Sequence, residues 1–335
     1  MASAVGTAAP DVNAAPGAAI PAAPAVVRGA ATAWYAHADC STHEMGPGHP
    51  ECPERLAAID DQMTASGMAM LLHHAEVPLA DDAALLRAHG AAHLEALARR
   101  EPERGYAQVD PDTLMNPFTL RAARRAAGAA VAATDAVVTG AVRNAFCCVW
   151  PPGHHAGRDF AMGFCFFNNV AVAARHARAA HGLARVAVID FDVHHGNGTE
   201  DIFRDDPNVL MVSIFQHPFY PYSGDAAQGP NMVNVPLARG ADGKQLREAV
   251  EMLWMPALEA FGPEMLFISA GFDAHREDDL GQLRFTENDY EWVTRQLVDF
   301  AERRCHGRIV SCLEGGYNLS ALGRSVVAHV KALAA

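Results

Sequence analysis

Six apolar runs of strand length constrain this chain more than any other feature. They are "TAWYAH" (32–37), "AFCCVW" (145–150), "RVAVIDFDV" (185–193), "VLMVSIF" (209–215), "MLFISAG" (265–271) and "RIVSCLEGG" (308–316). Several lack the apolar–polar alternation of a strand with one wet face, so they read as strands covered on both faces of a parallel sheet. Helical stretches separate them, at Pro117–Thr139, Asn168–His181, Asp242–Phe261, Thr286–His306 and Ser320–Ala334. Strands alternating with helices predict βαβ units and an α/β fold, a mostly parallel central sheet flanked by helices. No composition break or internal repeat divides the chain after residue 30, which predicts one domain over 31–335. Residues 1–30 are Ala/Pro-rich, with prolines at 10, 16, 21 and 24 breaking any apolar stretch, and read as a disordered tail.

Ligands of open α/β sheets bind beyond the carboxyl ends of the strands. In this chain "PPGHH" (151–155), "DFDVHHGNG" (190–198), "AGFD" (270–273) and "EGGY" (314–317) all fall at such ends. Adjacent side chains on a strand point to opposite faces, so His154 and His155 face one site only if the Pro151-Pro152-Gly153 turn re-aims them. His73-His74 has no such turn and reads as a surface pair. The net charge of −13 argues against nucleic acid or an acidic membrane as partner. No run approaches the roughly 18 apolar residues of a membrane span. Seven cysteines without a CxxC pair predict reduced thiols and a cytoplasmic setting.

The spacing i, i+2, i+4 puts Asp190, Asp192 and His194 on one face of a strand leaving the sheet. Two carboxylates and an imidazole converging there are costly to bury unless a cation joins them. The alternative is a solvated acidic loop, against which stands the tight turn marked by Gly196 and Gly198. Asp273 supplies a carboxylate from another strand end. Asp192, His194 and Asp273 together leave a coordination position open, as a catalytic metal site requires. No cysteine is placed to help; the oxygen-rich donor set favours Zn2+, with Fe2+ as the alternative.

"PPGHHA", "GFCFFNN", "DFDVHHGNGTE", "SAGFDAHRED" and "LEGGYNL", in this order and spacing, resemble the zinc-dependent histone deacetylase family, which includes bacterial acetylpolyamine amidohydrolases. "HPECPERL" (49–56) resembles its N-terminal signature, and Asn197, where class I members usually carry Asp, resembles the class II branch. The resemblance spans roughly residues 32–330 and implies an arginase–deacetylase fold. It implies a metal on Asp192, His194 and Asp273, His155 as general base and acid, and His154 paired with Asp190 as its electrostatic partner. It also implies Asn197 behind His155, and Tyr317 as the donor to the substrate carbonyl. Gly163, Phe164 and Tyr220 match the walls of an acyl-lysine channel, and Arg55 an arginine of the internal acetate-release cavity. Monovalent cation (K+) sites are implied near the backbone of Asp190, Asp192, His194, Ser213 and Ile214.

The chemistry agrees with the resemblance. Amide hydrolysis needs a polarised carbonyl, a nucleophile near neutral pH, and a proton carrier for the departing amine, for which histidine is suited. The expected substrate is an acetylated or short-acylated lysine of a peptide or protein, with an acetylpolyamine as the rival. An acidic gate residue marks polyamine-specialised relatives seven positions after the second ligand Asp; this chain has Leu280 there, an apolar gate. Asp278 and Asp279 read as a solvated acidic turn, and of Phe164, Phe166 and Phe167 one is expected to line the channel. An inactive acetyl-lysine reader would lack a metal ligand, a tandem histidine or the tyrosine, and all six are present. A two-metal ureohydrolase would need more carboxylate and histidine ligands. A homo-oligomer is compatible with all of these.

Overall fold

The apolar runs pair in parallel, with one helical crossover after another bringing the chain back to the same sheet edge. The computed structural model describes residues 31–335; the tail assigned to residues 1–30 lies outside the described residues. The strands are β1 (Thr32–Tyr35), β2 (His73–Ala75), β3 (Ala107–Asp110), β4 (Thr113–Met115), β5 (Asn144–Cys147), β6 (Val186–Asp190), β7 (Val209–Gln216), β8 (Met232–Leu237), β9 (Leu266–Ala270) and β10 (Ile309–Leu313). The α-helices are α1 (Glu54–Ala65), α2 (Asp82–Leu85), α3 (Ala91–Arg100), α4 (Thr119–Thr139), α5 (Asn169–His181), α6 (Asn197–Phe203), α7 (Gly243–Ala249), α8 (Met255–Phe261), α9 (Glu287–Arg304) and α10 (Leu319–Leu333).

Eight strands form one sheet in the order β2-β1-β5-β10-β9-β6-β7-β8, all parallel, while β3 and β4 make a separate antiparallel hairpin. Side chains along β6 alternate between two cores: Val186 and Val188 join the cluster of α4 and α5, and Ala187 and Ile189 join that of α1, α9 and α10. Each fully buried Val, Ile, Leu or Phe contributes roughly 1.5–3 kcal/mol, so a strand apolar on both faces is held from both sides. This is the three-layer α/β arrangement that the apolar runs predict, and no helix among the described residues is long and apolar enough to cross a membrane.

Some elements lie outside the sequence reading. The β8 segment "MVNVPL" contains Pro236, which argues against a central strand; it forms the sheet's edge, where a missing N–H is tolerated. The helical stretch 242–261 forms with a π-helical segment at Val250–Trp254, separated by Met255 from Pro256, which has no N–H to give the ladder. The surface pair His73-His74 lies exposed on β2, the opposite edge strand.

Three histidines are sealed in the protein with hydroxyl or backbone partners. His43 bonds Thr119 Oγ1 at 2.8 Å, His89 bonds the Gly157 carbonyl at 2.9 Å, and His329 sits between Thr294 Oγ1 at 2.7 Å and Ser311 Oγ at 2.9 Å. Burial pushes each pKa down to about 3. An unfolded histidine takes its proton near pH 6.5, so below that pH the unfolded chain binds more protons and gains on the native state. The contribution of these three histidines is therefore full above about pH 6.5 and falls toward pH 3, by up to about 1.4 kcal/mol per pH unit for each. The difference in urea midpoint between the unsubstituted protein and His329→Gln should shift against the unsubstituted protein as pH falls from about 7.5 to about 5, because only the histidine carries this linkage; a difference that does not move with pH would contradict the neutral assignment.

Candidate active site

The four loops singled out at strand ends follow β5, β10, β9 and β6, and these are the four adjacent central strands of the sheet. Residues 161 positions apart, such as Gly153 and Glu314, therefore meet at one edge. β6 ends at Asp190, and the chain turns so that Asp192 and His194 leave from a bend rather than from a continuing strand. Asp273 arrives from the loop after β9.

Backbone N–H groups hold both aspartates, and Asp192 Oδ1 itself accepts from His194 N at 2.9 Å. Asp192 Oδ2 accepts from Gly315 N at 2.9 Å, and Asp273 Oδ1 accepts from Val193 N at 2.9 Å. The other oxygens converge on His194 Nδ1, Asp192 Oδ1 at 3.0 Å and Asp273 Oδ2 at 3.2 Å. Asp273 Oδ2 is buried with no hydrogen bond of its own. All three donor atoms lie within 4.8 Å of one another. Burial and then the Asp192 charge push Asp273 up to about 7, while burial opposes the His194 cation but the two carboxylates beside it raise it to about 10. A buried oxygen without a donor, beside a second carboxylate and an imidazole nitrogen, fits a divalent cation.

The tandem histidines are set apart electrostatically. His154 Nδ1 lies 3.0 Å from Asp190 Oδ2, and His155 Nδ1 lies 2.7 Å from Asn197 Oδ1. Their ring centroids are 4.1 Å apart. Burial disfavours the His154 cation, but the charges of Asp192 and Asp190 outweigh it and hold the pKa well above the usual value. Burial, then the positive His154 and His194, hold His155 well below it. The surroundings thus favour the protonated form of one imidazole and the neutral form of its neighbour.

Glu314 is a site residue the sequence reading passed over. Its Oε2 accepts from Gly153 N at 2.6 Å and His154 N at 3.1 Å, and its Oε1 accepts from Ser269 Oγ at 3.0 Å, so it ties the histidine turn to β9 and β10. The available signal was a lone acid closing the apolar run "RIVSCLEGG". Asp278, read as part of a solvated turn, is instead buried and accepts from the backbone of Tyr317 at 2.6 Å, Asn318 at 2.9 Å and Leu280 at 2.9 Å. A carboxylate surrounded by three N–H donors needs no solvent, and here it holds the tyrosine's backbone.

A cavity of about 230 Å³ opens above this cluster, lined by His155, Gly163, Phe164, His194, Tyr220, Leu280 and Tyr317, with Asp112, Phe219 and Asp279 completing it. Gly163 has φ +55°, and a Cβ on it would stand 2.4 Å from His155 Cδ2, so only glycine lets this loop pass the ring. Phe166 and Phe167 belong to the core, leaving Phe164 as the wall residue. Leu280 is half-buried at the cavity, but Asp112 and Asp279 beside it make the lining more acidic than an apolar gate alone. Arg55 does not line the cavity. It is buried against the rings of Trp150 and Tyr317, paired with Glu51 at 2.7 Å, and its Nε donates to the Gly316 carbonyl at 2.6 Å. Ser213 lies beside Asp190 in the β6–β7 register.

The histone deacetylase domain model matches residues 49–333. The Synechocystis protein slr0245 is 40% identical over 298 residues, 87% of this chain and 95% of that one. A histone deacetylase-like amidohydrolase of Pseudomonas aeruginosa is 39% identical over 279 residues, 81% of this chain and 73% of that one. Among solved structures, the HDA15 HD domain superposes with a TM-score of 0.85 at 36% identity, covering 91% of this chain and 89% of that one.

A methyl group at position 315 would stand 2.0 Å from Asp273 Oδ2 and 2.6 Å from Asp192 Oδ2. Gly315→Ala must therefore spread the two carboxylates while leaving both in place. The expected outcome is a folded protein that loses divalent metal to a chelator at about tenfold lower chelator concentration or less, read as metal per chain after dialysis. Metal retention equal to the unsubstituted protein would show that these oxygens do not bind it.

Proposed function

The chain belongs to the histone deacetylase family, and on that premise we propose that it is a metal-dependent amidohydrolase removing acetyl or another short acyl group from lysine side chains of peptides or proteins. The observation that carries this reading is one cavity of about 230 Å³ bordered at once by His155, Tyr317 and His194, the last a member of the Asp192–His194–Asp273 donor set. Those three residues would hold the ion, Zn2+ with Fe2+ as the alternative. When bound it supplies a Lewis acid for the amide carbonyl and makes water acidic enough to act as nucleophile near neutral pH.

The chain's own groups perform the rest. His155, neutral and oriented by Asn197, takes the proton of the attacking water on Nε2. His154, paired with Asp190, stays cationic beside it and stabilises the negative charge that develops on the substrate. Burial pushes the Tyr317 phenol well above its ordinary pKa, so its hydroxyl remains a donor for the tetrahedral oxyanion. His155 then returns the proton to the departing amine. Gly163, Phe164 and Tyr220 form a narrow apolar passage suited to the methylene chain of an acyl-lysine. Seven free thiols among the described residues suit a reducing, cytoplasmic setting.

A second reading has its own support. Asp112 and Asp279 border the cavity with Leu280, and two carboxylates attract a second ammonium, as an acetylpolyamine carries. Parallel kcat/KM measurements on an ε-acetyl-lysine peptide and an acetylated polyamine decide between them. Preference for the peptide supports lysine deacylation; preference for the polyamine gives the acidic border the deciding role.

Tyr317→Phe removes only the hydroxyl. It should lower kcat by about 10²–10³ with metal content and unfolding midpoint unchanged, measured by steady-state kinetics and elemental analysis. Turnover like that of the unsubstituted protein would remove Tyr317 from the mechanism.

A further inference from the structure

A second group of metal-ligand side chains meets away from the cavity, where α4 and α5 end side by side. Asp135 Oδ1 accepts from Nε2 of both His176 and His181, each at 2.6 Å. The two imidazoles stand edge to face with centroids 5.6 Å apart, and the three ligand atoms lie within 4.8 Å of one another. A single ion pair would need one imidazole; here two are aimed by the same nitrogen at the same oxygen. His181 is the last residue of α5, and Asp135 lies one turn from the end of α4 at Thr139. The C-terminal ends of both helix dipoles favour positive charge at this point. Asp135 is 49% exposed, while His176 and His181 are 11% and 19% exposed, so the group is open to solvent on one side only.

We propose that Asp135, His176 and His181 form a second metal site, for a zinc-like divalent ion that prefers imidazole ligands, independent of the Asp192 cluster. Ligand bonds of about 2.0–2.2 Å to a four-coordinate ion separate donor atoms by about 3.3 Å. Each contact of 2.6 Å therefore opens by less than an ångström, within reach of small side-chain rotations. Solvent fills the fourth position.

One neighbour opposes the ion and so sets its affinity. Arg87 donates to His176 Nδ1 at 3.1 Å. Metal on Nε2 moves the ring proton to Nδ1, and arginine has no acceptor to receive it. Arg87, which is partly exposed, must swing aside for the metal to bind.

The test uses the full chain dialysed against buffered micromolar free zinc, with zinc per chain counted by elemental analysis. His181→Ala and Asp135→Asn should each lower the count by one relative to the unsubstituted protein, with the amide-hydrolysis rate unchanged. That difference reads the α4–α5 site whatever the Asp192 cluster holds. Arg87→Gln, which offers Nδ1–H an acceptor, should tighten the same zinc about tenfold. A zinc count that neither His181→Ala nor Asp135→Asn lowers overturns the proposal and leaves a purely structural ion-pair group. An Arg87→Gln variant that binds this zinc more weakly would overturn the role given to Arg87.

Discussion

Asp192 and Asp273 are carried by neighbouring strand ends to one imidazole nitrogen, and both are shut away from water. Like charges at this separation in a low-dielectric interior repel strongly. The protein holds both aspartates with backbone N–H groups and turns Asp192 Oδ1 and Asp273 Oδ2 toward a common point. Every nearby feature answers to that concentration of negative charge. The field favours the protonated forms of His194 and His154, the latter with a carboxylate on either side, and pushes Asp273 toward neutrality. A divalent cation relieves the same repulsion while leaving the cavity side of the group accessible.

The tandem histidines follow from the same field. His154 faces Asp190 and Asp192, whereas His155 faces an uncharged amide and two positive rings. Residues adjacent in sequence thereby acquire opposite proton preferences, which is the division of labour that acid–base chemistry at one centre requires. Asn197 matters in this balance because its neutrality leaves His155 without a counter-charge. The turn that presents both rings is pinned by Glu314, whose charge also faces His154.

Around the cluster runs a second set of buried polar contacts. Glu51 and Arg55 on and before α1 pair in the interior, and Arg55 reaches the carbonyls of Glu314 and Gly316. Asp278 holds the N–H groups of Tyr317 and Asn318, and Asn318 caps α10. A buried ion pair is weak evidence for net stability. Its effect here is positional: the glycine-rich segment carrying Tyr317 is gripped from α1, from the β9 loop and from α10, so a segment with little stiffness of its own is held in one place.

Much of this was legible in residue order alone. Apolar runs without alternation specify strands buried on both faces, and helix-length gaps between them specify parallel crossovers, so the layered α/β architecture is a property of the pattern. The metal-type donors Asp192, His194 and Asp273, the tandem histidines and Tyr317 stand out because polar side chains at the ends of apolar strands have few other reasons to be there. The edge strand β8 was hidden by its proline, and α1 by a weakly patterned surface face. What the sequence could not supply was which distant residues share an environment. That β5, β10, β9 and β6 lie side by side decides that Glu314 meets Gly153, that Asp278 is enclosed by three N–H groups, and that Asp112 and Asp279 border the same cavity as Leu280. Strand order arises from packing the whole chain around two cores, and the proton affinity of a buried group depends on every charge that packing brings near it. Local sequence determined the elements and the polar groups at their ends; only tertiary structure decided their neighbours, and with them which imidazole is favoured as a cation and which is held neutral.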